Sequence, residues 1–271
     1  SGVLTIRGTS GSNAQLTVTN GFTNAGTITL DNASSVTRSQ TLTVSSGTLT
    51  NQGTISTTQT GTGAANHAIN AFNFTNTGVI DIDATATISS GAIFDTSAGS
   101  IDVAAGNTLN LNTFQTNIGT SSSLTGAGTI NLQGPTVVFD SAYTISATTP
   151  LLDLTGTITF FGPGSLTIAS GQSLKLTADT ANNDIDNQGI LDIEQNTSTI
   201  NSTTFTNSGV LTIRGTSGAN VHLIVANGFT NAGTITLDNA HSAGRSQTLT
   251  VSNGTLTNTG TLSTTQTGAG S

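Results

Sequence analysis

Residues 22–30 read FTNAGTITL, and residues 229–237 read the same. Beyond Gly26, Ile28 and Leu30 alternate with Thr27 and Thr29. That period of two puts one face of a strand against a core and the other in water. Ahead of it, Asn24 and Gly26 are residues that make turns. Variants recur along the chain: LTNQGTIST from Leu49, FTNTGVIDI from Phe74, IDNQGILDI from Ile185, FTNSGVLTI from Phe205 and LTNTGTLST from Leu256. Degenerate copies begin at Asp95 (DTSAGSIDV) and Leu124 (LTGAGTINL). The central glycines fall at Gly2, Gly26, Gly53, Gly78, Gly99, Gly128, Gly164, Gly189, Gly209, Gly233 and Gly260, spaced by 20 to 36 residues. The widest gap precedes Gly164, where Gly156 in LTGTITF is a rival marker, so the phase from 130 to 185 stays open.

Short strands returning every twenty-odd residues predict an all-β fold, a right-handed parallel β-helix (β-solenoid) of about 11 coils of 20–30 residues. Each coil carries one strand after the glycine and a second some 13 residues on, as in Leu16–Val18, Leu42–Val44, Leu109–Leu111, Leu174–Leu176, Leu223–Val225 and Leu249–Val251. The Phe-Thr-Asn segment makes a short third side. At about 4.8 Å per coil, such a stack is roughly 50 Å long. Positions two and four after each glycine point inward: Leu4/Ile6, Ile28/Leu30, Ile80/Ile82, Ile101/Val103, Ile130/Leu132, Leu191/Ile193, Leu211/Ile213 and Ile235/Leu237. Two before it stand Asn24, Asn51, Asn76, Asn187, Asn207, Asn231 and Asn258, which can hydrogen-bond coil to coil. Four before it, Phe22, Leu49, Phe74, Phe205, Phe229 and Leu256 form an apolar stack. Five after it, charges alternate up an outer face: Arg7 beside Asp31, and Arg214 between Glu194 and Asp238.

A longer period encloses the short one. Residues 1–63 return at 208–270, with 51 identities in 63 positions. Residues 1–207 therefore read as one full repeat unit of about eight coils, and 208–271 as the start of the next, in one continuous solenoid. The chain opens at Ser1 inside one motif and closes at Ser271 with no polar cap. A solenoid needs its terminal edges covered. The expectation is a window of a tandem array, its ends covered by further repeats or by like subunits end to end.

Composition narrows the function. The 271 residues include 57 Thr, 30 Ser, 26 Asn and 32 Gly, but only 7% are charged and none is Cys, Met or Trp. Without Cys there is no disulfide framework, thiolate metal site or thiol nucleophile. A net charge of −8, with five Lys and Arg, argues against a nucleic-acid partner. No apolar run reaches the ~20 residues of a membrane-spanning helix.

Candidate chemistry is sparse. The three histidines are His67, His222 and His241; His222 replaces Gln15 and His241 replaces Ser34 between the copies, which marks surface decoration. Asp81 and Asp102 share an outward slot in consecutive coils and would repel unless a cation lay between them. Asp179, Asn183, Asp184 and Asp186 form a second acidic cluster. Either could offer oxygens to Ca²⁺, but the Gly-Gly-x-Gly-x-Asp nonapeptide of calcium-binding β-rolls is absent, and solvated acidic loops are the simpler reading. Lys175, the single lysine, lies in an ordinary Ser-Leu-Lys-Leu strand. Thr-x-Thr pairs suggest an ice-binding array, but Asp81, Asp102 and Asp192 interrupt it. Asn-x-Ser/Thr triplets at Asn32, Asn73, Asn196, Asn201 and Asn253 are expected by chance in so Thr-rich a chain. No catalytic residue, cofactor site or metal site is assigned, and an enzyme is not expected.

The (Phe/Leu)-Thr-Asn-x-Gly-x-(Ile/Leu) repeat resembles those of filamentous-haemagglutinin-type adhesins and other bacterial β-helical surface proteins. LTGAGTINLQG at Leu124 is similar to the strand repeats of autotransporter passengers. The resemblance covers nearly the whole chain and implies an exported protein at the bacterial cell surface, a shaft displaying a binding region. The expected role is thus a structural shaft segment of a repetitive adhesin or extracellular fibre. The alternatives are a solenoid face that binds glycan, Ca²⁺ or ice, and a polysaccharide-active β-helix enzyme.

Overall fold

The computed structural model describes residues 2–119, 121–216, 219–242 and 244–268; Ser1 and Ser271, where the chain opens and closes, lie outside the described residues. No helix occurs among the described residues, and the ladders between strands are parallel. The strands stack as a β-solenoid of about 11 turns. They divide into two compact units, Ser1–Asp140 with Thr148–Asp153, and Ser141–Ala147 with Leu154–Ser271. The sequence-repeat boundary at 207/208 falls inside the second unit.

In the first unit, Val3–Gly8, Thr27–Asn32, Thr54–Thr58, Val79–Ile82, Ser100–Val103 and Ser123–Thr125 make the first face. Their register stacks Leu4, Ile28, Ile55, Ile80, Ile101 and Leu124 in one inward column. Ile6, Leu30, Thr57, Ile82 and Val103 make the next. Ile28 and Leu30 are buried, as the alternation requires. Thr57 stands in an apolar column and satisfies its hydroxyl by donating to the Ala84 carbonyl at 2.6 Å. The second face begins with Ala14–Val18 and carries Leu16, Leu42, Ile69, Ile88, Leu111 and Leu132 inward. Here the second and third faces are one strand. Arg38–Asn51, Ala65–Asn76, Ala86–Asp95 and Thr108–Ile118 each run around the corner, and the register slips there. The third face then stacks Phe22, Leu49, Phe74 and Phe94. The Phe74 and Phe94 rings meet edge to face with centroids 5.2 Å apart. Phe94, not Asp95, is therefore the counterpart of Phe74; the degenerate copy is longer by one residue.

The second unit keeps three separate faces. Ser173–Leu176, Ile190–Glu194, Val210–Gly215, Thr234–Asn239 and Thr261–Thr265 form the first. Thr159–Phe161, Thr180–Ala181, Asn196–Ile200, Val221–Val225 and Gln247–Val251 form the second. Tyr143–Ile145, Leu166–Ile168, Ile185–Asn187, Phe205–Asn207, Phe229–Asn231 and Leu256–Asn258 form the third. The repeated strands Val3–Gly8 and Val210–Gly215, and likewise Thr27–Asn32 and Thr234–Asn239, have bounds that coincide after the 207-residue offset.

Three expectations about phase are corrected. Thr129–Leu132, after Gly128, pairs with Thr108–Leu111 on the second face, so Ile130 stacks on Leu109 and not on Ile101. Leu166–Ile168, after Gly164, pairs with the third-face strand Ile185–Asn187. Leu174–Leu176 pairs with Leu191–Ile193 and belongs to the first face, not the second. The cause is that more than one corner of a coil can carry a glycine. Ala169 accepts the Gln172 N–H at 3.0 Å across a β-turn whose third residue, Gly171, has φ +80°, a conformation open mainly to glycine. A glycine followed by alternating aliphatics can thus open any face.

The marker glycine is required by close approach. A β-carbon on Gly26, Gly53 or Gly78 would lie inside van der Waals contact of the preceding glycine's carbonyl oxygen, and the same holds for Gly209, Gly233 and Gly260. Beside this bare corner runs the asparagine ladder. Asn24 donates to Asn51 and Asn51 to Asn76, each at 2.8 Å. Asn187, Asn207, Asn231 and Asn258 continue the pattern at 2.6 Å per step. The same amides reach main-chain carbonyls just past the turn of the next coil, Asn51 to Val79 at 2.9 Å and Asn187 to Val210 at 2.9 Å. The main-chain carbonyls of Asn24, Asn51, Asn187, Asn207 and Asn231 also each accept two turn N–H groups of the next coil, as Asn207 does from Ala232 and Gly233.

Ile213 is fully buried between Ile193 and Leu237. Ile213→Asp buries an unpaired charge, and its expected cost is more than about 4 kcal/mol, read as lost cooperative unfolding in urea. Asn207→Ala strands the Asn187 donor and the Asn231 acceptor, for an expected loss of about 2–6 kcal/mol at roughly 1–3 per orphaned group. Asn258→Ala, on an exposed residue that ends the ladder, is expected to shift the urea midpoint far less.

Candidate functional site

Charged side chains carry the chemistry of most sites, and here most are engaged between coils. Arg7 pairs in register with Asp31, and its Nε lies 2.9 Å from the Asp31 carboxylate. Arg214 sits in register between Glu194 and Asp238. Its guanidinium contacts Asp238 at 3.4 Å and Asp192 at 3.5 Å, while Lys175 takes Glu194 at 4.0 Å. The arginines are outside, as alternation predicts, but Asp31 and Asp238 are buried. Each folds back to cap the following coil. Asp31 accepts the Thr60 N–H at 3.0 Å and its hydroxyl at 2.9 Å; Asp238 takes the Thr267 N–H at 3.1 Å and hydroxyl at 2.8 Å. Burial alone would raise both carboxyls. The hydrogen bonds from Thr60, or from Thr267 and Thr265, outweigh it with the neighbouring arginine and hold both below the ordinary carboxylate value.

Asp81 and Asp102 stack in register on the outer side of the first face. Burial, then the charges of Asp83 and Asp102, raise the Asp81 carboxyl. Asp102 accepts the Thr125 hydroxyl. The other acidic cluster does not converge. Asp179 is buried and takes the N–H groups of Ile158 at 2.7 Å and Thr177 at 2.6 Å; burial raises its carboxyl and those bonds offset it in part. Asn183 donates to the carbonyls of Phe161, Gly162 and Gly164 and closes a loop. Asp184 holds Thr203 and Thr204, and Asp186 holds Thr206 and Gln188. Among the described residues no three His, Asp or Glu side chains gather as metal ligands would.

The histidines separate. His222 is half-exposed on the outer side, 2.8 Å from the Thr250 hydroxyl. His241 is half-exposed in a turn, its N–H directed at the Asn239 side chain. His67 is buried, stacked in register between Gln40 and Ala86. Burial lowers its pKa, and the Thr58 backbone and the Asp31 charge oppose that only in part. Gln40 is fully buried with no hydrogen-bond partner for its amide. This buried polar pair was not foreseen; the signal was polar residues at the inward parity of Gln40-Thr-Leu-Thr-Val44 and His67-Ala-Ile-Asn-Ala71. The outer column Thr5, Thr29, Ser56, Asp81, Asp102, Thr125 is broken by carboxylates, as expected for ordinary strand surface. Asn32 is buried and donates to the Gly63 and Ala64 carbonyls, so its triplet is structural.

The Asp81 shift sets a pH dependence. A carboxyl whose folded pKa is raised costs stability above that pKa and nothing below its unfolded value, here 3.8. Asp81→Asn should therefore raise the urea midpoint near neutral pH and lose that advantage below pH 3.8. Asp238→Asn should do the reverse, lowering the midpoint near neutral pH with the difference fading as acid protonates Asp238.

Residues 108–269, more than half of the chain, match the family described as hyphally regulated cell wall protein N-terminal. No curated protein and no solved structure matches the chain. The likeness to filamentous-haemagglutinin and autotransporter repeats is thereby corrected. It holds for a β-helical protein of the cell surface, and the family match supports neither the bacterial types nor a bacterial surface. With its parallel coils and this match, the chain belongs to the hyphally regulated cell wall protein N-terminal family.

Proposed function

We propose that this chain is a structural segment of a cell-wall adhesin or surface fibre, a shaft of stacked coils that gives length and stiffness, and that it is not an enzyme. The observation that carries the reading is where the polar chemistry goes. The asparagines, Asp31, Asp238, Arg214 and the members of the Asp179 cluster all bond to the adjoining coils or their turns. Catalysis needs a nucleophile with a base, paired carboxylates at a cleft, or a metal. The near-identical return of residues 1–63 at 208–270 supports a part whose coils are interchangeable. Its partners on this reading are further copies of the 207-residue unit, or like subunits end to end.

The test is reach. One epitope tag is displayed above one, two or three copies of residues 1–207 on a walled cell, and bead-bound antibody reads its accessibility. Capture should rise with copy number, each copy adding about 38 Å at the strand spacing. Capture independent of copy number, or sugar released from wall polysaccharide by the purified chain, would overturn the proposal.

A further inference from the structure

We propose that the corner formed by Phe72, Gly91 and Phe114 in the first unit binds a neutral polysaccharide strand. Here Ala65–Asn76, Ala86–Asp95 and Thr108–Ile118 turn from the second face to the third, and their register slips between Ala71 and Phe74 and between Thr113 and Gln115. The slip throws apolar residues outward. Phe72 is 55% exposed, Phe114 63% and Ile93 38%. Gly91 occupies the middle strand, and a β-carbon there would meet the Phe72 ring at 3.1 Å, so the ring lies over bare backbone. The corner is braced from beneath. The Ser90 hydroxyl donates to the Phe72 carbonyl at 2.9 Å, and the Thr113 and Thr116 hydroxyls bond at 2.7 Å.

The polar flanks select the ligand. Asn70, Ser89 and Asn112 stack on one side, and Thr75, Asp95 and Asn117 on the other. Asp95 is the one charge on these columns, and it is engaged by the N–H and hydroxyl of Ser97. Aromatic faces bordered by amides and hydroxyls suit a sugar ring, whose C–H face stacks on an electron-rich ring and whose hydroxyls pair with amides. Phe72 and Phe114 lie two strand steps apart, about 10 Å at the backbone, a span of two successive sugar rings, with no side chain at Gly91 between them. A second protein fits poorly. Two partly exposed rings and one isoleucine offer a few hundred Å² at most, against about 800 Å² per partner for a stable interface. Nucleic acid is disfavoured by the absence of cations here.

The experiment titrates the whole chain with laminarin, cello-oligosaccharides, chito-oligosaccharides and mannan by calorimetry. Wild type should bind at least one of them. F72A/F114A should lose at least about tenfold in affinity while keeping its urea midpoint, since neither ring is core. F161A, which removes an exposed ring in the second unit, should leave binding unchanged. No heat with any of the glycans, equal affinity in F72A/F114A, or self-association of wild type that this double variant abolishes would each overturn the proposal. The last would assign the corner to a second copy.

Discussion

A parallel stack with a period of one coil places each side chain against its own counterpart in the next coil. Like therefore meets like, and the side chains sort by how they tolerate it. Isoleucine on isoleucine is favourable and dry, as in Ile55, Ile80 and Ile101. Asparagine on asparagine is also favourable, because an amide carries both a donor and an acceptor and can pass one hydrogen bond per step along a column. Two carboxylates at the coil spacing repel by about 3–4 kcal/mol at an effective dielectric of about 20, and by under 1 kcal/mol in water. The 7% charge content follows from this constraint, as does the alternation of sign wherever charges do stack. Asp81 on Asp102 is the exception, and there the Asp102 charge adds to burial and to the Asp83 charge in raising the Asp81 carboxyl.

The glycine and asparagine of each motif are two halves of one corner. Glycine removes the β-carbon so that one turn can sit directly upon the next, and the asparagine two residues earlier ties those turns together by side chain and carbonyl. Neither half works alone. A side chain at the glycine would push the coils apart and stretch the amide column; a residue without an amide would leave buried turn groups unpaired, which costs about 1–3 kcal/mol each. The aliphatic columns supply the larger driving force, but they are indifferent to a slip of two residues. The corner is not, so register lives there.

What could be read in advance follows the same division. The inward aliphatics, the Asn ladder, the Phe22–Leu49–Phe74 stack and the order Glu194, Arg214, Asp238 were legible because identical spacing forces identical placement. Strand phase from Gly128 to Leu176 was not legible. In that stretch the Asn is missing from the motif, and glycine before alternating aliphatics occurs at more than one corner. The inward turn of Asp31 and Asp238 was hidden for another reason. Parity assigns them outward, and only the position of Thr60 or Thr267 in the next coil draws them in. Parity did point inward for Gln40 and His67, against the usual exclusion of polar groups from a core.

If self-similarity builds the stack of coils, then departures from it are where a coil can do something else. The repeated segment, 1–63 and 208–270, holds the Asn ladder, the marker glycines and the Arg–Asp pairs, which serve stacking. Phe72 and Phe114 lie in the segment that occurs once, 64–207, and are exposed, whereas Phe74, Phe94, Phe205 and Phe229 are buried. No packing advantage accounts for two large apolar rings held in water on a chain with only ten Phe. A shaft that repeats its stacking parts and carries an aromatic corner between them would present that corner at regular intervals along its length. Many weak contacts spaced in this way add to a strong attachment without any one of them being tight.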